Sequence, residues 1–144
     1  MDADRVRIES AMHAAVVTSD QYLTEIASYL IVAGGKRLRP AIAVAAGQVG
    51  GGAVTDDIVQ GGVACELVHL GSLYHDDVMD EAATRRGVDT VNARWGNLQA
   101  ILAGDFLLSR ASATAASPGT EVAGLLARTI GWSSEGQITE LRHT

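Results

Sequence analysis

Two acidic residues four positions apart, Asp76 and Asp80, have the spacing that most directly suggests chemistry. On a helix turning about 100° per residue they lie within about 40° of each other, and His69 lies about 20° from Asp76. One helix face would therefore present a histidine and two carboxylates. Asp77 lies about 100° round the same helix, which makes it a poorer candidate for sharing one ion.

The pattern Asp76-Asp77-x-x-Asp80 predicts a magnesium site. Carboxylates at this helical spacing repel each other when both are ionised, and a divalent cation turns that repulsion into attraction. Carboxylate oxygens favour Mg²⁺ over zinc, and Mg²⁺ usually takes one or two of them together with waters and phosphate oxygens. The metal therefore implies a substrate that carries phosphate. A solvated acidic helix end is the alternative, and the motif alone leaves both open.

Basic residues form two short clusters on either side of these acids. The clusters are Lys36, Arg37 and Arg39, which follow a Gly-Gly pair, and Arg85 and Arg86, which follow the acids. Lysine supplies a point charge and arginine a forked pair of donors, a combination that suits diphosphate binding. Either cluster alone is typical of a solvated surface. Together they predict two anion pockets joined by a metal.

The elements that carry these residues are predicted to be helices. Apolar residues recur at helical spacing between Gly-rich breaks, with no useful alternating strand pattern, which indicates an all-α fold. The expected helices run from about residue 3 to 17, from the cap at Ser19 or Asp20 to Gly34, from about Pro40 to Gly50, from Thr55 to about Glu81, from about Asn97 to Ala116 and from Thr120 to about Leu141. A loop is expected from Ala82 to about Val91, and Gly61-Gly62 is a candidate site for a bend.

Composition indicates one globular domain over residues 1–144. The chain is 47% hydrophobic with a formal net charge of −6, which argues against nucleic-acid binding because that needs a basic surface. A single cysteine, Cys65, excludes an internal disulfide and favours a reducing compartment. The charged start does not fit a signal peptide, and no apolar run is long enough to cross a bilayer. We therefore expect a cytoplasmic protein.

Four segments together resemble the trans-isoprenyl diphosphate synthases, the polyprenyl synthetase family. They are GGKRLRP (34–40), ELVHLGSLYHDDVMDEAATRRG (66–87), AGD (103–105) and, more loosely, EGQITEL (135–141). The resemblance implies about the first half of a helical bundle of the isoprenoid synthase type. It also implies a prenyltransferase that condenses isopentenyl diphosphate with an allylic prenyl diphosphate to make a polyprenyl diphosphate.

The family resemblance also implies a role for each candidate residue. Asp76 and Asp80, with Asp77 in support, would hold Mg²⁺ on the allylic diphosphate. The residues implied to bind isopentenyl diphosphate are Lys36, Arg39, His69 and Arg86, and Arg85 would face the allylic diphosphate.

Two small residues before the aspartates, Ser72 and Gly71, correspond to the family's chain-length positions and imply an open cavity and a long product. Helical spacing puts Ser72 on the face of Asp76 and points Gly71 away from it. The relevance of Gly71 therefore rests on the family resemblance alone.

Members of this family carry a second aspartate-rich motif in a second half, and this sequence contains none. We therefore expect a truncated polyprenyl synthetase domain that forms a homodimer or associates with a second-half polypeptide. The alternative is a non-catalytic subunit that partners a full-length synthase. A third interpretation, an all-α metal phosphohydrolase, would use His75 and Asp76 and would need further ligands, for which His13 and His143 at the chain ends are poor prospects.

Overall fold

Seven α-helices and one short hairpin make up residues 2–143, the part of the chain that this computed structural model describes. The elements are α1 (Asp2–Ala15), α2 (Gln21–Ala33), α3 (Leu38–Val49), α4 (Asp56–Met79), β1 (Thr84–Arg85), β2 (Val88–Asp89), α5 (Val91–Trp95), α6 (Asn97–Ala116) and α7 (Thr120–Arg142). The all-α prediction is confirmed, and the six expected helices are each found within a few residues of their expected ends.

The segment expected to be a loop contains the hairpin, and α5 follows it. Thr84 pairs with Asp89 and Arg85 with Val88 in an antiparallel ladder. Both residues of the turn, Arg86 and Gly87, have positive φ (53° and 79°), as the tightest hairpin turns require. Strands of two residues are too short to show a sequence alternation, so the expectation of no strand was wrong for this segment.

Helix α4 is the central element and carries the aspartates at its carboxyl end. Its amino end is capped by Thr55, whose hydroxyl accepts a hydrogen bond from the Ile58 N–H at 3.3 Å. Eleven of its residues are buried, and it packs against α1, α3 and α6. Burial on several sides means that neighbouring helices fix its position, and with it the position of the acids.

Two glycines let neighbouring helices approach α4 closely. A Cβ on Gly62 would lie 3.0 Å from the Cα of Pro40 in α3, and one on Gly71 would lie 3.0 Å from the carbonyl oxygen of Gly104 in α6. Gly61 has no such neighbour within 4 Å. Helix α4 continues through Gly61-Gly62, so Gly62 serves helix packing and neither glycine ends the helix.

Helix α7 packs on the others along a narrow stripe. Leu126 is its one buried residue within the described part of the chain. Its exposed large apolar residues are Val122, Leu125, Trp132, Ile138 and Leu141. None of the helices described is both long enough and apolar enough to cross a membrane.

Candidate active site

The last turns of α4 bring Asp76 and Asp80 together. Asp76 is half-buried, whereas Asp80 is exposed and ends the helix, with its N–H donating to the Asp76 carbonyl oxygen at 2.8 Å. Burial raises the pKa of Asp76 above its usual value, and the negative charge of Asp80 raises it further. A carboxylate that is disfavoured in its ionised form by a neighbouring carboxylate is one that a cation would stabilise.

Asp77 faces the protein interior. It is 3% exposed, and its carboxylate accepts hydrogen bonds from Arg85 Nε at 2.9 and 3.0 Å and from Arg85 Nη2 at 2.8 Å. This forked geometry is the strongest kind of ion pair in proteins. The structure therefore separates Asp77 from the other two predicted metal residues. Across residues 2–143, no three His, Cys, Asp or Glu side chains are grouped closely enough to hold an ion.

The hairpin after α4 carries Arg85 and Arg86 in different directions. Arg85 turns back to Asp77, and those hydrogen bonds raise its pKa. Arg86 has its backbone in the left-handed region and donates from Nη1 to the carbonyl oxygen of Gly34. The second basic cluster therefore contacts the Gly-Gly turn that precedes the first one.

The turn between α2 and α3 separates its three basic residues. Arg37 is 6% exposed and donates from Nε to Glu9 Oε1 at 2.5 Å and from Nη2 to the Ile31 carbonyl oxygen at 3.0 Å. Arg39 is half exposed. Lys36 is exposed and lines a groove of about 350 Å³ between this turn and α1. Arg37 thus holds the turn in place, while Lys36 and Arg39 remain accessible.

His69 marks the point where the basic residues converge on α4. Burial and then the positive charges of Arg39, Arg86 and Arg85 lower its pKa from 6.5 to about 4. The imidazole is therefore neutral near pH 7 and lies within electrostatic reach of three guanidinium groups. Of the predicted diphosphate-binding residues, Arg39, Arg85 and Arg86 thus act on His69, whereas Lys36 lines the groove beside α1.

A groove of about 410 Å³ runs between α4, α6 and α7. Its charged or ionisable lining residues are His75, Asp76 and Asp105, and α7 adds Ser133, Ser134 and Gln137. The apolar lining residues are Val68, Val78, Met79, Ile101, Leu108, Ile130, Ile138 and Leu141. Ser72 lines the groove, with its hydroxyl donating to the His69 carbonyl oxygen at 2.6 Å, whereas Gly71 packs against Gly104 in α6. Only one of the two predicted chain-length residues thus faces this space.

A polar pair joins α4 and α6, and the sequence motifs did not predict it. His75 Nε2 lies 3.2 Å from Asp105 Oδ1 and 3.0 Å from the Ile101 carbonyl oxygen. A Cβ on Gly104 would lie 2.5 Å from the same nitrogen, so the glycine makes room for the ring. His75 is directed to α6, and the described residues supply none of the further ligands that a phosphohydrolase centre would need.

Glu66 is a second residue that the sequence did not single out. It is 2% exposed on α4, and burial raises its pKa. An acidic residue within an apolar stretch of helix, three positions before His69, was the available signal. Its partners on another element could not be read from spacing.

Comparison with known proteins gives one family. The family model described as Polyprenyl synthetase matches residues 20–144. The nonaprenyl diphosphate synthase of Mycobacterium tuberculosis is 41% identical over 138 residues, which are 96% of this chain and 41% of that protein. Component 2 of the heptaprenyl diphosphate synthase of Geobacillus stearothermophilus is 36% identical over 140 residues, covering 96% of this chain and 43% of that one.

Solved structures show the same likeness. The polyprenyl synthase from Caulobacter crescentus CB15, complexed with calcium and isoprenyl diphosphate, has a TM-score of 0.91 at 33% identity. That match covers 97% of this chain and 43% of the other. The chain therefore spans less than half the length of each of these three proteins.

Proposed function

We propose that this chain, which belongs to the polyprenyl synthetase family, supplies part of the active site of a polyprenyl diphosphate synthase. That part consists of the first aspartate pair, the isopentenyl diphosphate site and one section of the groove for the growing prenyl chain. One observation carries the proposal: Asp76 lines a mostly apolar groove, and His69, on the same helix two turns earlier, lies in the field of three arginines. That arrangement suits two diphosphates and one hydrocarbon chain.

Each substrate has its own set of residues in this proposal. The apolar groove takes the hydrocarbon part of an allylic prenyl diphosphate, and Asp76 and Asp80 lie where its diphosphate would be. Lys36, Arg39, His69 and Arg86 take isopentenyl diphosphate. The forked donors of arginine suit phosphate oxygens, and neutral His69 adds a hydrogen bond without further charge.

Mg²⁺ fits the donors present. Asp76 and Asp80 are hard oxygen ligands on adjacent turns, and the pKa of Asp76 is raised partly by the charge of its neighbour, a cost that a cation removes. Two carboxylates with waters and phosphate oxygens form a usual magnesium environment. The ion, when bound, would neutralise charge on the departing diphosphate. Asp77 supports this site indirectly, because its pairing with Arg85 fixes the end of α4.

The reaction is a carbon–carbon bond formation with diphosphate as the leaving group. The allylic C–O bond breaks and releases diphosphate, and the double bond of isopentenyl diphosphate attacks the allylic carbon. The new carbocation then passes a proton to the released diphosphate, which leaves a double bond in the product. Arg85, whose charge acts on Asp76 and Asp80, stabilises the departing charge, and the apolar groove excludes water from the electron-poor carbon. Ser72 leaves the groove open one turn from Asp76, which supports a long product.

A partnered subunit is the second candidate, and two observations favour it. The exposed apolar residues of α7, Trp132 and Ile138 among them, provide a surface for association with another copy or with a second-half polypeptide. The Geobacillus stearothermophilus relative is itself named as a component of a synthase. In this version the chain contributes its site to an assembly, or modulates a full-length synthase without catalysis of its own.

Calorimetry and product analysis test both versions. Isopentenyl diphosphate and farnesyl diphosphate are titrated into the chain with and without Mg²⁺, using wild type, Asp76→Asn, Asp80→Asn and, as a control, the exposed Asp89→Asn. We expect magnesium-dependent allylic binding that either α4 variant weakens severely and the control does not. Equal binding by all four proteins would refute the metal assignment.

Elongation of labelled isopentenyl diphosphate is then measured with the chain alone and with a polypeptide covering the remaining length of a relative. Product from the chain alone supports a self-sufficient synthase. Product only in the mixture supports a split enzyme. The chain is also added to a full-length synthase. A change in the synthase's elongation rate that is the same for wild type and Asp76→Asn would support the non-catalytic version.

A further inference from the structure

Glu66 is a buried acid to which the proposed reaction gives no role. Its Oε1 lies 3.9 Å from Arg37 Nη1, and its Oε2 lies 3.9 Å from Arg39 Nη1. Both distances are too long for hydrogen bonds. Arg37 Nη1 and Glu66 Oε2 are buried atoms without a hydrogen-bond partner among the described residues. A buried polar group without a hydrogen bond raises the free energy of the folded protein, so a closer partner would stabilise this carboxylate.

The two arginines beside Glu66 are held to different degrees. Arg37 is fixed, because Glu9 and the Ile31 carbonyl oxygen accept hydrogen bonds from its Nε and Nη2. The Arg39 side chain is 46% exposed, and its charge reaches His69, whose pKa it lowers. Glu66 therefore stands between a buried, hydrogen-bonded cation and a half-exposed cation at the proposed diphosphate site.

We propose that Glu66 is a positioning residue for Arg39 in diphosphate binding, with Arg37 as its fixed counterion. The inference rests on the proposed function, which assigns Arg39 to isopentenyl diphosphate. In the free protein the carboxylate draws the Arg39 guanidinium toward α4 and reduces the orientations that this long side chain samples. When a diphosphate takes up the Arg39 charge, Glu66 remains balanced by Arg37, whose unpaired Nη1 is the available donor.

The direction of the effect distinguishes positioning from simple charge. Glu66 is negative and close to an anion site, so by Coulomb's law alone its neutralisation would strengthen diphosphate binding. Loss of orientation would weaken binding instead. Glu66→Gln removes the charge and keeps the size of the side chain, so the two explanations predict changes of opposite sign.

The test is a double-mutant cycle on the 144-residue chain, with isopentenyl diphosphate as the probe in calorimetry. Wild type, Glu66→Gln, Arg39→Gln and the double variant are compared, with Glu121→Gln on the exposed first turn of α7 as the charge-matched control. We expect the Kd to rise about tenfold in Glu66→Gln, as for a misplaced binding group, and to stay near the wild-type value in the control. In the Arg39→Gln background Glu66→Gln should cause no further loss, because the interaction is already absent.

Each other outcome has a definite meaning. A wild-type chain that does not bind the probe refutes the proposed function and this inference with it. Wild-type binding together with equal or tighter binding by Glu66→Gln refutes this inference alone. So does a loss that persists undiminished in the Arg39→Gln background, since Glu66 would then act through the fold. Should circular dichroism show Glu66→Gln unfolded, Glu66→Asp enters the same cycle: a loss that vanishes with Arg39→Gln supports positioning, and one that persists refutes it.

Discussion

Asp77 and Arg85 form a buried, forked ion pair that joins the end of α4 to the hairpin after it. The Asn92 side chain donates to the Ala82 carbonyl oxygen at 3.0 Å and strengthens the same junction. Because Arg86 is the next residue, the pair also determines where the Arg86 guanidinium meets Gly34. An acid within the aspartate-rich motif thus organises the site without facing the groove.

Asp77→Asn should destabilise the protein far more than Asp80→Asn. The first substitution leaves the Arg85 guanidinium without its charged partner, and we expect a loss of about 2 kcal/mol, below the usual cost of breaking a fully buried pair because Arg85 is partly exposed. The second removes an exposed carboxylate that repels Asp76, so stability should change little. Urea unfolding of both variants measures the difference, and equal losses would contradict this assignment.

Neighbouring glycines of α4 should respond to alanine in opposite directions. Gly61→Ala meets nothing within 4 Å and should stabilise the chain by about 0.5–1 kcal/mol through helix propensity. Gly62→Ala places a Cβ 3.0 Å from the Pro40 Cα and should destabilise by about 1–3 kcal/mol. Thermal and urea unfolding of the pair decide the matter. A stabilising Gly62→Ala would mean that α3 does not rest on this position.

His69 should make stability depend on pH in the acidic range. Its pKa is lowered from 6.5 to about 4 in the folded protein, so the unfolded chain binds this proton more readily. The contribution of His69 to stability is complete above pH 6.5 and is lost as the pH falls toward 4. Above pH 6.5, the free energies of unfolding of wild type and His69→Gln should change with pH at the same rate. Between pH 6.5 and 4, the wild-type value should fall more steeply as the pH is lowered. Parallel curves throughout would argue against a half-buried, neutral imidazole.

Product length should depend on Ser72 and not on Gly71. In any assembly that elongates, Ser72→Phe places a ring in the groove one turn from Asp76 and should shorten the product. Gly71→Ala brings a Cβ within 3.0 Å of the Gly104 carbonyl oxygen, so it should lower stability and leave the distribution of products unchanged. Chromatography of the labelled prenyl products distinguishes the two. An unchanged distribution in Ser72→Phe would refute the open-groove interpretation.

Local signals were sufficient to predict six of the seven helices described, and the five-residue α5 was missed. The Thr55 cap and the acids that follow it mark the start of α4, and Pro40 lies in the first turn of α3 as expected. Helical spacing also separated Asp77 from Asp76 correctly, since each residue's face follows from the turn per residue. These features depend on residues a few positions apart.

Features that depend on distant contacts were beyond the sequence. Arg37 was grouped with its basic neighbours, yet a left-handed backbone at this residue and Glu9 on α1 place it inside the protein. The partners of Glu66 and the pairing of His75 with Asp105 were not predicted for the same reason, because each partner comes from another element. The placement of a charged side chain depends on which element covers it, and helical spacing carries no information about that.

The walls of the groove differ in stiffness, because the contact between Gly71 and Gly104 ties α4 to α6 but does not involve α7. Where these two glycines meet, the main chains of α4 and α6 approach each other closely, so these two helices have little room to shift toward each other. Helix α7 buries only Leu126 among its described residues and is therefore the compliant wall. An occupant too wide for the resting groove would be accommodated by outward displacement of α7, while the distance from Asp76 to Asp105 stays nearly constant.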